Sequence, residues 1–361
     1  MNRKPGTDSI ARKAGIALAI FALAALQRAP EAVACGEVRV VEDVETLIAA
    51  LEAGGAVRIP PGEYVLRGPL VVEQSVQIVM ERGAVLVAAW SGGRSDAVLS
   101  LVPGSEGSEL RGVRIDGGGN RLQGLRLQDV GDIRISDLSV SEVGEQGVWV
   151  QGSERVVIQD ARLERTQTHE ETSQSGAVRI SGSTDVVIER AQVWDSGGKG
   201  IAFGNSSRCV VRDSTVHDTQ RDAGCGIYFN NAHDNLVQGC HVIDPQGNAL
   251  KISRRSSGIK VRDCTLNKER GVGTTLFIQG GLDSQVTGSR LISRLRRNTV
   301  QISEHPLENV GGPAQRNLIL GNHIESAEGR FFGEAGEVSG NVYEGNLEVH
   351  SDDGELSDSS R

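Results

Sequence analysis

Residues 147–158 read Gly147-Val148-Trp149-Val150-Gln151-Gly152-Ser153-Glu154-Arg155-Val156-Val157-Ile158: an alternating strand, a polar turn, then a second apolar strand. The chain repeats this phrase eight times. It opens at Gly124-Leu125-Arg126-Leu127, Gly147-Val148-Trp149-Val150, Ala177-Val178-Arg179-Ile180 and Gly200-Ile201-Ala202-Phe203, then at Gly226-Ile227-Tyr228-Phe229, Ala249-Leu250-Lys251-Ile252, Thr275-Leu276-Phe277-Ile278 and Thr299-Val300-Gln301-Ile302. A unit of this size, made only of period-2 strands and turns, predicts an all-β parallel solenoid in which each repeat is one coil. A single coil cannot bury its apolar face, so neighbouring coils must stack into one elongated body.

Composition agrees with that expectation. Aromatic residues are 3% of the chain and there are 46 glycines, which suits a core of thin stacked side chains with tight corners. A formal charge of -9 argues against nucleic acid as the main partner, and any acidic ligand would need a locally basic surface.

The first 34 residues read as a signal peptide. Arg3, Lys4, Arg12 and Lys13 precede the apolar run Ala14 to Leu26, and Ala32-Val33-Ala34 offers a small-residue cleavage site. The run is short of the roughly 20 residues a spanning helix needs, although a retained anchor is the alternative. Cys35 would suit a lipid anchor, but Arg28 and Glu31 separate it from the apolar run. The expected location is secreted or periplasmic, with no integral span in the mature chain.

The five cysteines match no metal-binding spacing. Cys240 and Cys264 fall in one column of successive coils, together with Ser214, Ala191 and Ala161. Stacked strands lie about 4.8 Å apart, which permits either a disulfide or two small packed residues. Cys209 aligns with Val186 and Val156 and reads as core.

The solenoid domain is placed at 35–349, with an acidic, Ser- and Gly-rich tail at 350–361 expected to be disordered. Asp43 can N-cap a helix of about 43–53, with Val44, Leu47, Ile48 and Leu51 on one face and Gly54-Gly55 as its stop. That helix would close the first coil. The helix cap, the phrase Ile59-Pro60-Pro61-Gly62-Glu63-Tyr64 and the Gly-Ile-x-Val coils together resemble the pectin-lyase-like superfamily of right-handed parallel β-helices, over roughly Val38 to Val349. The resemblance implies a single-stranded right-handed helix whose substrate groove lies on one sheet. Members act mostly on acidic polysaccharides, as lyases, epimerases or hydrolases, while others bind sugars without catalysis or serve as structural spines.

Function then depends on what the opening strands point outward. Their inward residues are all apolar, whereas the outward column reads Arg126, Trp149, Arg179, Ala202, Tyr228, Lys251, Phe277 and Gln301. A companion column runs Gln128, Gln151, Ser181, Gly204, Asn230, Ser253, Gln279 and Ser303. Interleaved cations and rings suit an extended anionic sugar chain, with Arg126, Trp149, Arg179, Phe277, Gln301 and Asn230 as binding residues and a dip at Ala202 and Gly204. An ordinary solvated sheet is the plainer alternative.

In the turn before those strands, Asp195, Asp218 and Asp244 occupy one place in three consecutive coils. Carboxylates about 5 Å apart repel by roughly 3 kcal/mol per pair at an effective dielectric near 20. Hydration, protonation, or a calcium ion with Asp222 as a fourth ligand would relieve this; a ladder of Asp capping turn amides is equally consistent. Lys251 is the only lysine of the outward column. Abstracting the C5 proton of a uronate needs a base, a neutralised carboxylate and a proton donor. Lys251 fits the base, Arg179 the carboxylate clamp, and Tyr228 or His217 the donor. Calcium-assisted pectate lyases pair an Asp cluster with a Lys or Arg base, and this set is similar in kind.

Other activities fit less well. Asp244-Pro245-Gln246-Gly247 keeps only half of the Asp-Pro-His-Asp of mannuronan epimerases, and of the paired aspartates, Gly-His-Gly and later Arg-Ile-Lys of polygalacturonases only Lys251-Ile252 is similar to the last. His169, His233, His305 and His323 read as loop residues, with His169-Glu170-Glu171 in an insertion able to overhang the groove. The expectation is a polysaccharide lyase acting by β-elimination on an acidic polysaccharide. A non-catalytic carbohydrate-binding or cell-surface module is the alternative.

Overall fold

The computed structural model describes residues 38–168, 176–220, 224–306 and 312–350. The expected leader, Cys35, His169-Glu170-Glu171, Asp222 and residues 351–361 lie outside these segments.

Alternation of apolar and polar residues produces short strands, and each coil contributes one strand to each of three long parallel sheets of 13, 11 and 12 strands. In one coil, Val148–Gln151 lies in the 11-stranded sheet, Val157–Gln159 in the 13-stranded sheet and Arg162–Thr166 in the 12-stranded sheet. The next coil then restarts at Gly176–Ser181. The register is the one the repeats predict: Leu125, Val148, Val178, Ile201, Ile227, Leu250, Leu276 and Val300 pair in sequence. All eight are buried, and the next inward column is buried with them.

Corners turn on single residues in the left-handed region. Between the second and third strands of successive coils these are Asp137, Asp160, Arg190, Asp213, Gly239, Asp263 and Gly288, with φ from 51° to 62°. Asp tolerates this conformation by local hydrogen bonding and Gly by lacking a Cβ. At another corner, Arg–Asp pairs clip neighbouring coils, as in Arg155–Asp132 and Arg208–Asp185, both at 2.7 Å. These exposed pairs are worth at most about 1 kcal/mol each.

Helix α1, Val44–Ala53, covers the first coil. Asp43 Oδ1 accepts from Thr46 N at 2.8 Å and Thr46 Oγ1 accepts from Asp43 N at 3.0 Å, a reciprocal cap. Its buried face is Leu47, Ala50 and Leu51. Ile48, expected on that face, is 42% exposed, because the narrow coil end meets only one stripe of the helix. Cys240 and Cys264 are adjacent buried thiols, each Sγ donating to a carbonyl (Gln238 at 3.4 Å, Arg262 at 3.1 Å). The last strand, Leu347–His350, extends one residue into the stretch assigned to the tail.

Candidate functional site

The outward column of the 11-stranded sheet is continuous, from Arg126 beside Trp149 to Phe277 beside Gln301. Its rings are half-buried rather than open. Trp149 lies between two guanidinium groups, with Arg126 Cζ 5.0 Å and Arg179 Cζ 4.8 Å from its ring centre. Its Nε1 donates to Ser181 Oγ at 2.8 Å. Arg126 also donates to Ser95 O at 3.2 Å and Gln151 Oε1 at 3.1 Å, so it is held in place. Arg179 donates no hydrogen bond among the described residues and faces the groove as a cation, its pKa lowered by burial and by Arg94. The expected dip is only partial: Ala202 is 6% exposed, while a Cβ at Gly204 would meet nothing within 4 Å.

The middle of the groove is strongly basic. Lys251 Nζ stands 4.8 Å over the Phe277 ring, and burial lowers its pKa. Lys199, which the sequence reading passed over, stands 5.0 Å over the Tyr228 ring. Burial brings Lys199 down to about 8; nearby Cys225 opposes the shift, and Lys251, Arg179 and Arg254 add to it. Burial pushes the Tyr228 phenol up, against a hydrogen bond with Ser253. His305 is lowered by burial and by Arg254 and Lys251, so it belongs to the same electrostatic cluster. Asn230 lies beside Gly204 and Ser253 in the companion column. Lys251, Tyr228 and Arg179 are thus on one sheet.

His217 is on another. It sits in Thr215–Thr219 of the 12-stranded sheet, tilted on Trp194 with centroids 4.9 Å apart and Nδ1 2.7 Å from Asp218 Oδ2. The aspartate column is also partnered. Arg270 joins Asp218 and, through Nε at 2.9 Å, Asp244. Asp244 Oδ1 further accepts from Glu269 N and Arg270 N at 3.0 Å, and Asp195 accepts from Gln220. Arg270 therefore supplies positive charge to this column, through a contact spanning 52 residues of sequence. Among the described residues no three His, Cys, Asp or Glu side chains converge as a metal site requires, and Asp222, the fourth ligand considered for calcium, lies outside them.

Behind that column, Lys268 is fully buried and donates to Pro245 O at 2.8 Å, Gln246 O at 3.3 Å, Arg270 O at 2.9 Å and Gly247 O. Its ammonium ties the turn after Asp244 to the turn carrying Arg270. Lys268→Met should leave buried carbonyls unpaired at about 1–3 kcal/mol for the first, less for those that water reaches. Urea denaturation checks this, and a midpoint equal to wild type would show that the ammonium is dispensable.

A cleft of about 390 Å³ opens where the groove meets the turns of the later coils, lined by Asn248, Gly273, Thr274, Phe277, Arg296, Arg297, Asn298, Gln301 and Arg330. Only Phe277 and Gln301 were predicted as site residues. The arginines lie in turns, which carry no periodicity to mark them. Lys199 was hidden because strand alternation places residue 199 with the inward Ile201 and Phe203, and it is buried; only its long side chain brings the ammonium over the Tyr228 ring.

A sequence-family profile described as "Right handed beta helix region" matches residues 112–291. No curated protein matches the sequence. Among solved structures the chain is similar to the Azotobacter vinelandii mannuronan C-5 epimerase AlgE4 A-module, with a TM-score of 0.68 at 14% identity, covering 86% of this chain and 96% of that one. It is also similar to PfbA, a surface adhesin of Streptococcus pneumoniae, with a TM-score of 0.58 at 11% identity over 85% and 88%. A third similar structure is the catalytic domain of a GH87 α-1,3-glucanase in complex with nigerose, with a TM-score of 0.52 at 12% identity over 87% and 71%. At these identities the likeness is one of fold. Among the described residues, no helix is long and apolar enough to cross a membrane.

Proposed function

We propose, for a chain that belongs to the pectin-lyase-like superfamily of right-handed parallel β-helices, that its groove binds an acidic polysaccharide and cleaves it at a uronate by β-elimination. The observation that carries this is the placement of Tyr228 between two lysines of lowered pKa. Lys251 is its register neighbour, and Lys199 stands over its ring.

Elimination removes the C5 proton, forms the C4–C5 double bond and breaks the C4–O bond. Lys251 takes the C5 proton: burial raises the fraction of neutral amine, which carries the needed lone pair. Lys199 and Arg179 neutralise the uronate carboxylate, which makes that proton removable. Tyr228, kept protonated by burial, gives its proton to the departing oxygen. His217 takes no part, being on the neighbouring sheet. No step passes through a metal ion. The similar structures include a mannuronan epimerase and a glucanase, which supports carbohydrate as the ligand class. Export by the 1–34 leader would deliver the protein to such polymers.

A second reading is a non-catalytic binding module. It is favoured by one observation: the rings of the groove already carry the protein's own cations. Absorbance of unsaturated uronates separates the two. Incubation with pectate, alginate, hyaluronan and unsulfated chondroitin should raise the signal on one polymer, and Lys251→Ala should lower the rate by about 100-fold or more, as loss of a general base does. A polymer that binds without any rise in absorbance would leave only the binding module.

A further inference from the structure

The cleft at the end of the groove has a charge balance unlike that of the rest of the surface. Arg296 and Arg330 share one carboxylate, Glu328, at 3.1 and 3.4 Å. Arg297 is exposed and has no acidic partner among the described residues. Asp218 and Asp244 do not line the cleft, and Arg270 binds both. Three guanidinium groups thus face one carboxylate, on a protein whose net charge is -9. Lys251 adds a further cation from over the Phe277 ring.

The remaining lining suits a sugar. Asn298 Nδ2 donates to Gln301 Oε1 at 2.9 Å, giving a paired amide edge beside the aromatic ring. That pair is seated by a glycine: a Cβ at Gly333 would lie 1.9 Å from Asn298 Nδ2 and 2.7 Å from Gln301 Oε1. Gly333 is also the register partner of Gln301, so the groove column continues into the floor of the cleft. The volume is within the roughly 300–1,000 Å³ typical of small-ligand sites.

We infer that this cleft is an anion subsite, in which Arg296, Arg297 and Arg330 hold an oxyanion carried on a sugar ring. A uronate carboxylate and a sulfate ester both present the oxygen pairs that the guanidinium fork grips bidentately. The inference rests on the groove binding a polysaccharide, and extends it by fixing where a charged residue of the chain is anchored.

Titration calorimetry of the full chain with hyaluronan and chondroitin sulfate oligosaccharides tests it, comparing Arg297→Gln with Lys199→Met. Arg297→Gln should weaken binding at least about tenfold, the loss of one charge-assisted hydrogen bond. Loss on both oligomers assigns the carboxylate, and loss on the sulfated oligomer alone assigns the sulfate. Unchanged affinity in Arg297→Gln with a loss in Lys199→Met would overturn the subsite and leave the groove. No binding to these oligomers or to those of pectate and alginate, or none of it sensitive to either substitution, would overturn both.

Discussion

Replacing Lys199 and Arg179, the two cations assigned to the uronate carboxylate, together with methionine should abolish measurable binding of acidic polysaccharide. Each cation that contacts a carboxylate is worth about 1.5–3 kcal/mol, so losing both costs roughly two to four orders of magnitude in affinity. The pH dependence is specific to Lys199. With its pKa brought to about 8, it is mostly charged at pH 7 and mostly neutral at pH 9. Affinity should therefore fall as pH rises through 8, and Lys199→Arg should remove that fall. The fold itself should respond in the opposite sense. The unfolded chain holds this proton up to its usual 10.5, so between about pH 8 and 10.5 the unfolded state binds more protons and stability rises with pH. At neutral pH the buried ammonium costs the folded state on the order of 3 kcal/mol. Lys199→Met should thus be at least as stable as wild type, which separates lost binding from lost folding. Undiminished affinity in the double variant, measured by calorimetry, would remove the groove from consideration.

The second large effect is structural. Phe203 and Phe229 stack in the core with centroids 4.8 Å apart and planes 11° from parallel, both nearly inaccessible to solvent. They extend the column that Ile180 and Ile252 continue on either side. Phe229→Ala should cost about 3–5 kcal/mol from lost transfer energy and the cavity left behind, with about 0.5–1.5 kcal/mol more from the lost ring pair. A coil touches only its two neighbours, so little of the structure can relax into the space. Phe229→Leu should recover most of the loss. Chemical denaturation measures both, and a cost below about 1 kcal/mol for the alanine variant would mean that the stack contributes little. Because Tyr228 and Phe229 are consecutive, the alanine variant should also loosen the groove above it.

These effects differ in how far the sequence foretold them. The Phe203 and Phe229 column was legible, since strands of period 2 place every second residue inside and the repeats align it. The outward line from Arg126 to Gln301 was legible for the same reason. What the rings do was not: a cation above a ring depends on the choice of rotamer, which no spacing reveals. Arg270 reaching Asp218 was equally hidden, because the two are brought together by coil stacking and a turn of irregular length. The cleft arginines lie in such turns as well. Ile48 shows the reverse error, where a clean helical pattern overstated the width of the buried face.

The even register of the coils has a consequence for how such a protein changes over time. Every column of the inner and outer faces advances by one residue per coil, so a whole coil is a unit that can be duplicated or deleted without disturbing its neighbours' pairing. Each such event would lengthen or shorten the groove by a fixed step of about 4.8 Å. The length of polymer it accommodates is therefore a quantity that evolves in whole steps, while the identity of a single outward residue tunes the chemistry at one step alone.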